Sequence, residues 1–588
     1  MNKLHQYKFT LLIVLFAYST GMAQKKDENI GTEVVNVVKP YSASISDAFK
    51  VKETPVTEDE ESLKKEEIKY TIFSFPVAST FTPAKGKAAG VDKPKKEKLF
   101  SNYATLGFGN YGRVIGELFV TEQLSKSDYV GGMLRHHSSQ GGIDGLVLDD
   151  KFNNTSLDLT YGSQMRDFNW NADIGYQHQV YNWYGINQDF FQQNETFYNQ
   201  IDPSHTYHNF YLAGKIGFED SFFKKAEVKF NRFWDDFGSA ENRFFVKPSF
   251  AIDVMETQVN TNVIVDYVSG SFETDYFNLG GIKYGFTNFG LNPSIKLNSD
   301  DWSFDLGLSL FYSADLENSN SKFFIYPNIT ASYKLVGDLM IFYAGADGNL
   351  QQNTFRDFTN ENPFLAPSLS IAPTSKQFDI FAGLKGKLAR NISYNIRGSY
   401  VNENDRALFT AFPLPNPTDP NLIENAEPYQ FGNAFGVIYD DVKTISFFGE
   451  VKADLSKNIS AGINGTFRSL SAKDQAEVWN VPSITLGANV EANITDKWFA
   501  GMNLFFVGER FDLVTAPDLL NDPNFYTFNK VTLDSYLDMN ANVGYKYNER
   551  LTLFLKGNNL FNQAYERWMN FPAQQIQVVL GANYKFDF

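Results

Sequence analysis

The chain has 588 residues, a formal net charge of −16, no cysteine, and 16% aromatic residues including 56 Phe and 31 Tyr, yet its mean hydropathy is −0.31. The missing cysteine excludes disulfides, thiolate metal sites and a lipid-anchored amino terminus, and the acidic balance argues against nucleic acid as a partner. After the first twenty residues no apolar run is long enough for a spanning helix, so membrane insertion would have to use strands.

The first residues read as a secretory signal. Lys3 and Lys8 give a positive n-region, Thr10 to Ala17 an apolar h-region, and Gly21-Met22-Ala23 a small-residue cleavage site. The mature chain is expected to begin at Gln24, and loss of the two lysines takes the formal charge from −16 to −18. From Gln24 to Glu97 the chain does not read as a globular domain. It contains the Val-rich heptapeptide Thr32-Glu33-Val34-Val35-Asn36-Val37-Val38, a short amphipathic pattern at Ile45 to Phe49, an acidic run at Glu58 to Glu67, and an apolar piece at Tyr70 to Phe81. A Lys-, Gly-, Ala- and Pro-rich stretch follows from Pro83 to Lys98. Such composition predicts a largely extended or disordered periplasmic or luminal segment.

From Lys98 to Phe588 short polar turns alternate with longer connections. The short turns are expected near Lys126, Arg166, Glu219, Glu256, Ser299, Gly337, Arg390, Lys457, Asp496 and Asn548. With two strand-like runs between successive turns, two before the first and two after the last, the array holds 22 strands. Short periplasmic turns with longer extracellular loops are the signature of a transmembrane barrel, and 22 strands is the size of the large outer-membrane transporters. Individual runs carry period-two patterning. Phe168, Trp170, Ala172, Ile174 and Tyr176 alternate with Asn169, Asn171, Asp173, Gly175 and Gln177. Trp302, Phe304, Leu306, Leu308, Leu310 and Tyr312 alternate with Asp301, Ser303, Asp305, Gly307 and Ser309, and Ile459, Ala461, Ile463, Gly465 and Phe467 with Ser460, Gly462, Asn464, Thr466 and Arg468. A charge facing lipid at mid-depth costs about 2–4 kcal/mol, so the charged face is assigned to the lumen. The fold class is therefore all-β: a transmembrane antiparallel barrel of about 22 strands, preceded by the extended segment. Phe168, Trp302 and Trp498, next to turns, suit an interfacial aromatic girdle.

The chain closes with Asn559-Leu560-Phe561-Asn562-Gln563-Ala564-Tyr565, a loop containing Pro572-Ala573-Gln574, and a final strand. In that strand Val578, Leu580, Ala582, Tyr584, Phe586 and Phe588 share one face, while Val579, Gly581, Asn583, Lys585 and Asp587 share the other. Its barrel-closing signal is read at Gly581, Tyr584, Phe586 and Phe588. This end resembles the carboxyl-terminal end of TonB-dependent receptors, which carry an N-L-F-(D/N)-x-x-Y run on the penultimate strand and a closing aromatic strand. The loop departs from the family's Pro-Gly-Arg. The resemblance implies residence in the lipid of the bacterial outer membrane, insertion by the barrel-assembly machinery, and a receptor or transport role. It also implies a reading of Thr32 to Val38, which resembles the short box through which family members pair with the TonB protein as an added strand. An ordinary short strand or linker has the same composition. The family's amino-terminal plug exceeds a hundred residues, whereas 24–97 is shorter and is not plug-like, which puts gated, energised uptake in doubt.

Five histidines remain after the signal: His136, His137, His178, His205 and His208. The adjacent pair points to opposite faces, and no helix brings His205 and His208 together, so polar loop histidines are expected rather than a metal site. Gly-rich Ser138 to Gly145 is not followed by a helix and reads as a surface loop, not a phosphate cradle. With no catalytic constellation in view, no enzymatic activity, cofactor or metal is expected. Binding is expected in the long loops Tyr181 to Ser204, Asn353 to Ser375, Ala407 to Gln430 and Phe511 to Thr532. Two functions stay open: passage or uptake of a solute across the outer membrane, or a non-transporting scaffold barrel that serves another periplasmic or outer-membrane protein.

Overall fold

The computed structural model describes residues 99–588 apart from 256, 520 and 521; the expected signal, the segment 24–97 and Thr32 to Val38 lie outside the described residues. Twenty-two antiparallel strands form one closed sheet. The first strand, Asn102–Gly109, pairs with Val114–Gln123 on one side and with the last strand, Gln577–Phe586, on the other, in register from Asn102↔Phe586 to Gly109↔Val579. Closure removes the sheet edges that lipid could not satisfy. No helix among the described residues is long and apolar enough to cross a membrane.

Turns of two to four residues follow the strands ending at Gln123, Gln164, Phe218, Val254, Asn298, Val336, Ala389, Ser456, Asn493 and Lys546, at the ten places where the polar punctuation puts them. The two faces of each strand separate as the alternation predicts. On Trp302–Asp315, Phe304, Leu306, Leu308 and Tyr312 point outward and stay 38–45% exposed, whereas Ser309 and Phe311 point inward and are buried. Exposed apolar area costs about 25 cal/mol per Å² in water, so a closed barrel clothed this way belongs in lipid. Aromatic side chains ring the turn end: Phe168 meets Phe218, Phe218 meets Phe223, and Trp498 meets Tyr545 at 4.7–5.5 Å between ring centroids. The belt and its girdle place the protein in a bacterial outer membrane.

Three details differ from the sequence reading. The final strand stops at Phe586, because its partner starts at Asn102 and the Ser101 N–H is taken by the Asp587 side chain at 2.9 Å. The strand Ile392–Ala411 runs five residues into the expected loop Ala407 to Gln430, paired with Phe435–Ser456, so the connection is 412–434. Most of Phe511 to Thr532 is itself a hairpin, Arg510–Asp518 with Asp522–Leu533, forming a separate two-stranded sheet outside the barrel wall.

Candidate functional site

At the end opposite the short turns the long connections fold inward and pack on one another. Helix Phe355–Glu361 is started by Thr354, whose side chain accepts the Asp357 N–H at 2.9 Å. The wall holds this helix through Glu241: its carboxylate accepts the Phe355 N–H at 2.7 Å, the Arg356 N–H at 3.3 Å and the Tyr284 hydroxyl at 2.7 Å. Arg243 grips Asp266 with two bonds of 2.7 and 2.9 Å and also reaches Asp357 at 3.3 Å. Phe355 then sits fully buried among Tyr207, Phe233 and Phe272, inward-facing residues at the upper ends of three strands.

The connection 559–576 joins the same core. Phe571 stacks on Phe364 at 3.9 Å and meets Tyr184 at 4.9 Å, and Trp568 packs on Phe409 and Phe435. Polar ties accompany the rings: the Tyr184 hydroxyl donates to the Pro572 carbonyl, Asn433 to that of Trp183, and Tyr276 to that of Pro413. Gln574 accepts from buried Arg113 at 2.7 Å and donates to Ser139 at 2.9 Å. These loops hang from strands far apart around the closed sheet, so their mutual contact requires them to bridge the mouth.

A cavity of about 730 Å³ lies where the hairpin, the connection 412–434 and the connection 559–576 meet. Phe412, Leu414, Leu533 and Met569 give it apolar walls, Asn187, Gln563 and Asn570 give it amides, and its charged lining residues are Asp534 and Glu566. The side chains of Tyr536 and Tyr565 lie parallel at 3.9 Å. Tyr565 donates to Asp538 at 2.8 Å, and the Arg510 guanidinium stands 5.5 Å from the Tyr536 ring while donating to the carbonyls of Glu566 and Arg567. Burial pushes the Glu566 carboxyl above its usual value against the Asn570 N–H it accepts and the nearby Arg510 charge. Stacked phenols, amides and two carboxylates can hold a polar solute with neutral or cationic groups.

The sequence-selected residues distribute as follows. Gly581, inward-facing on the closing strand, leaves room for the Phe554 ring, which a Cβ there would overlap. Tyr584 and Phe586 point outward with their rings stacked, and Phe588 lies just past the strand end. His136 faces outward, bonded to Thr155 and Ser138, while His137 is set against Phe152. His205 is buried between Trp183 and Tyr207, 3.5 Å from Asp235, whereas His208 stacks on Trp234 beside His178. In the Gly-rich loop the Gly142 and Ile143 N–H groups both donate to Asp150, so that loop is tied by its own carboxylate. Trp568 and Phe571, on the connection after the N-L-F run, were not singled out in the sequence, although two large aromatics within four residues of an Asn- and Gln-rich loop are a usable signal.

No protein-family pattern matches the chain, and no curated protein matches its sequence. Solved structures do match in fold. The FrpB iron transporter from Neisseria meningitidis superposes with a TM-score of 0.62 at 10% identity, covering 84% of this chain and 82% of that one. The siderophore receptor PirA from Acinetobacter baumannii gives 0.60 at 12% identity over 84% and 81%. The pyoverdine outer-membrane receptor FpvA from Pseudomonas aeruginosa gives 0.59 at 13% identity over 84% and 79%. These are described as receptors and transporters rather than enzymes, and the present chain has the barrel fold of TonB-dependent receptors.

Proposed function

We propose that the protein takes up a solute across the outer membrane, capturing it first at the bridged extracellular mouth. The observation that carries this reading is the cavity between the hairpin and the two connections. It is a concave, aromatic and amide-lined site on loops that are held by a packed core. Ferric and copper chelates are the first solutes to try, because structures of this fold are described as an iron transporter and a copper transporter. Energy coupling would run through Thr32 to Val38, paired as an added strand with TonB, and Gly581, Tyr584, Phe586 and Phe588 would serve the assembly machinery as the closing signal.

The test compares accumulation of a panel of ferric, copper, sugar and peptide solutes in cells with and without the protein, and with Val35→Pro. Uptake requires at least one solute whose accumulation depends on the protein and falls in the Val35→Pro strain. If no solute depends on the protein, and the purified barrel carries a stoichiometric protein partner, the scaffold role replaces uptake. Dependence on the protein that survives Val35→Pro would keep passage and remove the coupling.

A further inference from the structure

Below the bridged mouth the luminal wall carries a second cavity, of about 610 Å³, on the inner face of the strands Met340–Gln351, Thr374–Ala389, Ile392–Ala411, Phe435–Ser456 and Ile459–Ala472. Four cationic side chains line it, Lys385, Arg397, Arg406 and Arg468, against two carboxylates, Asp379 and Glu403. Each carboxylate is engaged through one oxygen, Asp379 with Arg397 at 2.7 Å and Glu403 with Arg406 at 2.8 Å, while the second Asp379 oxygen is buried without a partner. Among the described residues, neither of the other two cations has a carboxylate partner. Lys385 stands 5.4 Å from the Tyr343 ring, and Arg468 makes only long contacts of 3.4 and 3.5 Å to the Pro482 carbonyl and Thr485 hydroxyl.

The rest of the site is built for anionic oxygen. Arg397 lies over the Phe381 ring at 4.0 Å, which fixes its plane, and its Nε–H is buried without a partner. The Thr444 hydroxyl is likewise buried and unpartnered, and Ser399 and Ser446 form a 2.6 Å hydroxyl pair between the arginines. Planar guanidinium groups match carboxylate oxygens two at a time, and such charge-assisted bonds are the strong ones. We propose that this wall is a binding site for a small polycarboxylate, with Arg468 and Lys385 as its principal ligands and Arg397 and Thr444 donating from the flank. A dianion would bring the cavity close to neutrality. Its sign is opposite to that of the mouth cavity, whose charged lining is Asp534 and Glu566. The binding chemistry does not rest on the uptake reading; only its use as a station on a transport path does.

Calorimetry on the full chain in zwitterionic detergent at low salt tests this with tricarballylate as probe and inorganic phosphate as a second arm. Saturable tricarballylate binding is expected, weakened roughly tenfold or more by Arg468→Ala and by Lys385→Ala, and unchanged by Lys229→Ala on the opposite part of the wall. Arg468→Lys should keep part of the affinity. Heat-modifiable migration on gels verifies that each variant is a folded barrel, and Lys385→Ala carries the test if Arg468→Ala does not fold. Absence of saturable binding up to 10-millimolar-scale probe (about 10 mM), or binding that neither variant changes, overturns the site. Phosphate binding as tightly as the tricarboxylate would reduce it to a general anion site and overturn the polycarboxylate assignment. None of these outcomes alters the solute-accumulation test, so failure here is separable from failure of the uptake reading.

Discussion

The same inward face of the wall changes chemistry along its length. Toward the short turns it carries Lys215, Glu227, Lys229 and Asn262, whereas at the extracellular end the equivalent positions are Tyr207, Phe233, Val268 and Phe272, all at most 2% exposed. The lower lumen is a polar wall; the mouth is a hydrophobic core made of strand ends and loops. In a soluble domain apolar residues gather at the centre. Here the outward apolar side chains go to lipid, and among the described residues the main interior core lies where connections fold back to supply its second half. The cap can therefore be stable or loose independently of the barrel beneath it, whose strands are held by their closed backbone ladder.

The sharpest way to break this distinction is to empty the core of the cap. Phe571→Ala or Phe355→Ala removes a fully buried ring, which typically costs about 3–5 kcal/mol, with most of the loss confined to the cap. Hydrogen exchange should show amides of 352–373 and 559–576 losing protection while those of the lower strands keep theirs. Equal loss over the whole barrel would show that cap and wall unfold as one unit.

A charge buried in the cap gives the next effect. Burial pushes the Asp512 carboxyl up to about 6, against hydrogen bonds from Asn480 and from the Leu513 and Ala411 N–H groups and against the Arg510 charge. Its folded value lies above the ordinary 3.8. The contribution to docking of the hairpin is thus fully present below pH 4 and is lost as pH rises through 6, by about 3 kcal/mol in all. Exchange of the hairpin amides, corrected for intrinsic rate, should rise from pH 4 to 7 in the native chain and stay flat in Asp512→Asn. The same rise in the variant would assign it to another group. Glu241→Gln is expected to act next, by about 1–3 kcal/mol, because a carboxylate accepting three hydrogen bonds becomes an amide that can accept through one oxygen only. Loss of protection should centre on Phe355–Glu361, and an unchanged helix would mean that Phe355 packing alone docks it.

The wall was far more legible in the sequence than the cap, and the reason is periodicity. Alternation from Trp302 to Tyr312 and ten short polar turns are repeated local signals, each reporting the same barrel. The aromatic residues that bridge the mouth, Phe355, Phe364, Trp568 and Phe571, follow no period, and their partners lie on distant strands. The aromatic and amide content of Asn353 to Ser375 marked it as a binding loop without revealing that its rings face inward. In Phe511 to Thr532 the turn-forming residues concealed a hairpin that docks on the end of Ile392–Ala411, a long-range contact with no local signal. The luminal cavity was visible only as inward positions: Arg468 appeared as one polar residue in an alternation, and its convergence with Lys385 and Arg397 depends on how neighbouring strands are staggered.

The smallest expected effect tests the other half of the distinction. Lys376 and Asp347 pair at 3.0 Å on the luminal wall with side chains 28% and 39% exposed. A pair so open to water is screened and loses side-chain freedom on forming, so it contributes about 0–1 kcal/mol. Lys376→Met should leave urea unfolding in micelles within that range and leave exchange in the cap unchanged, because the methylene stem still packs while the charge is gone. A loss as large as that of Phe571→Ala would mean that the luminal wall just below the mouth is not bathed in water and that its ion pairs, rather than the ladder and the lipid, hold the strands in register.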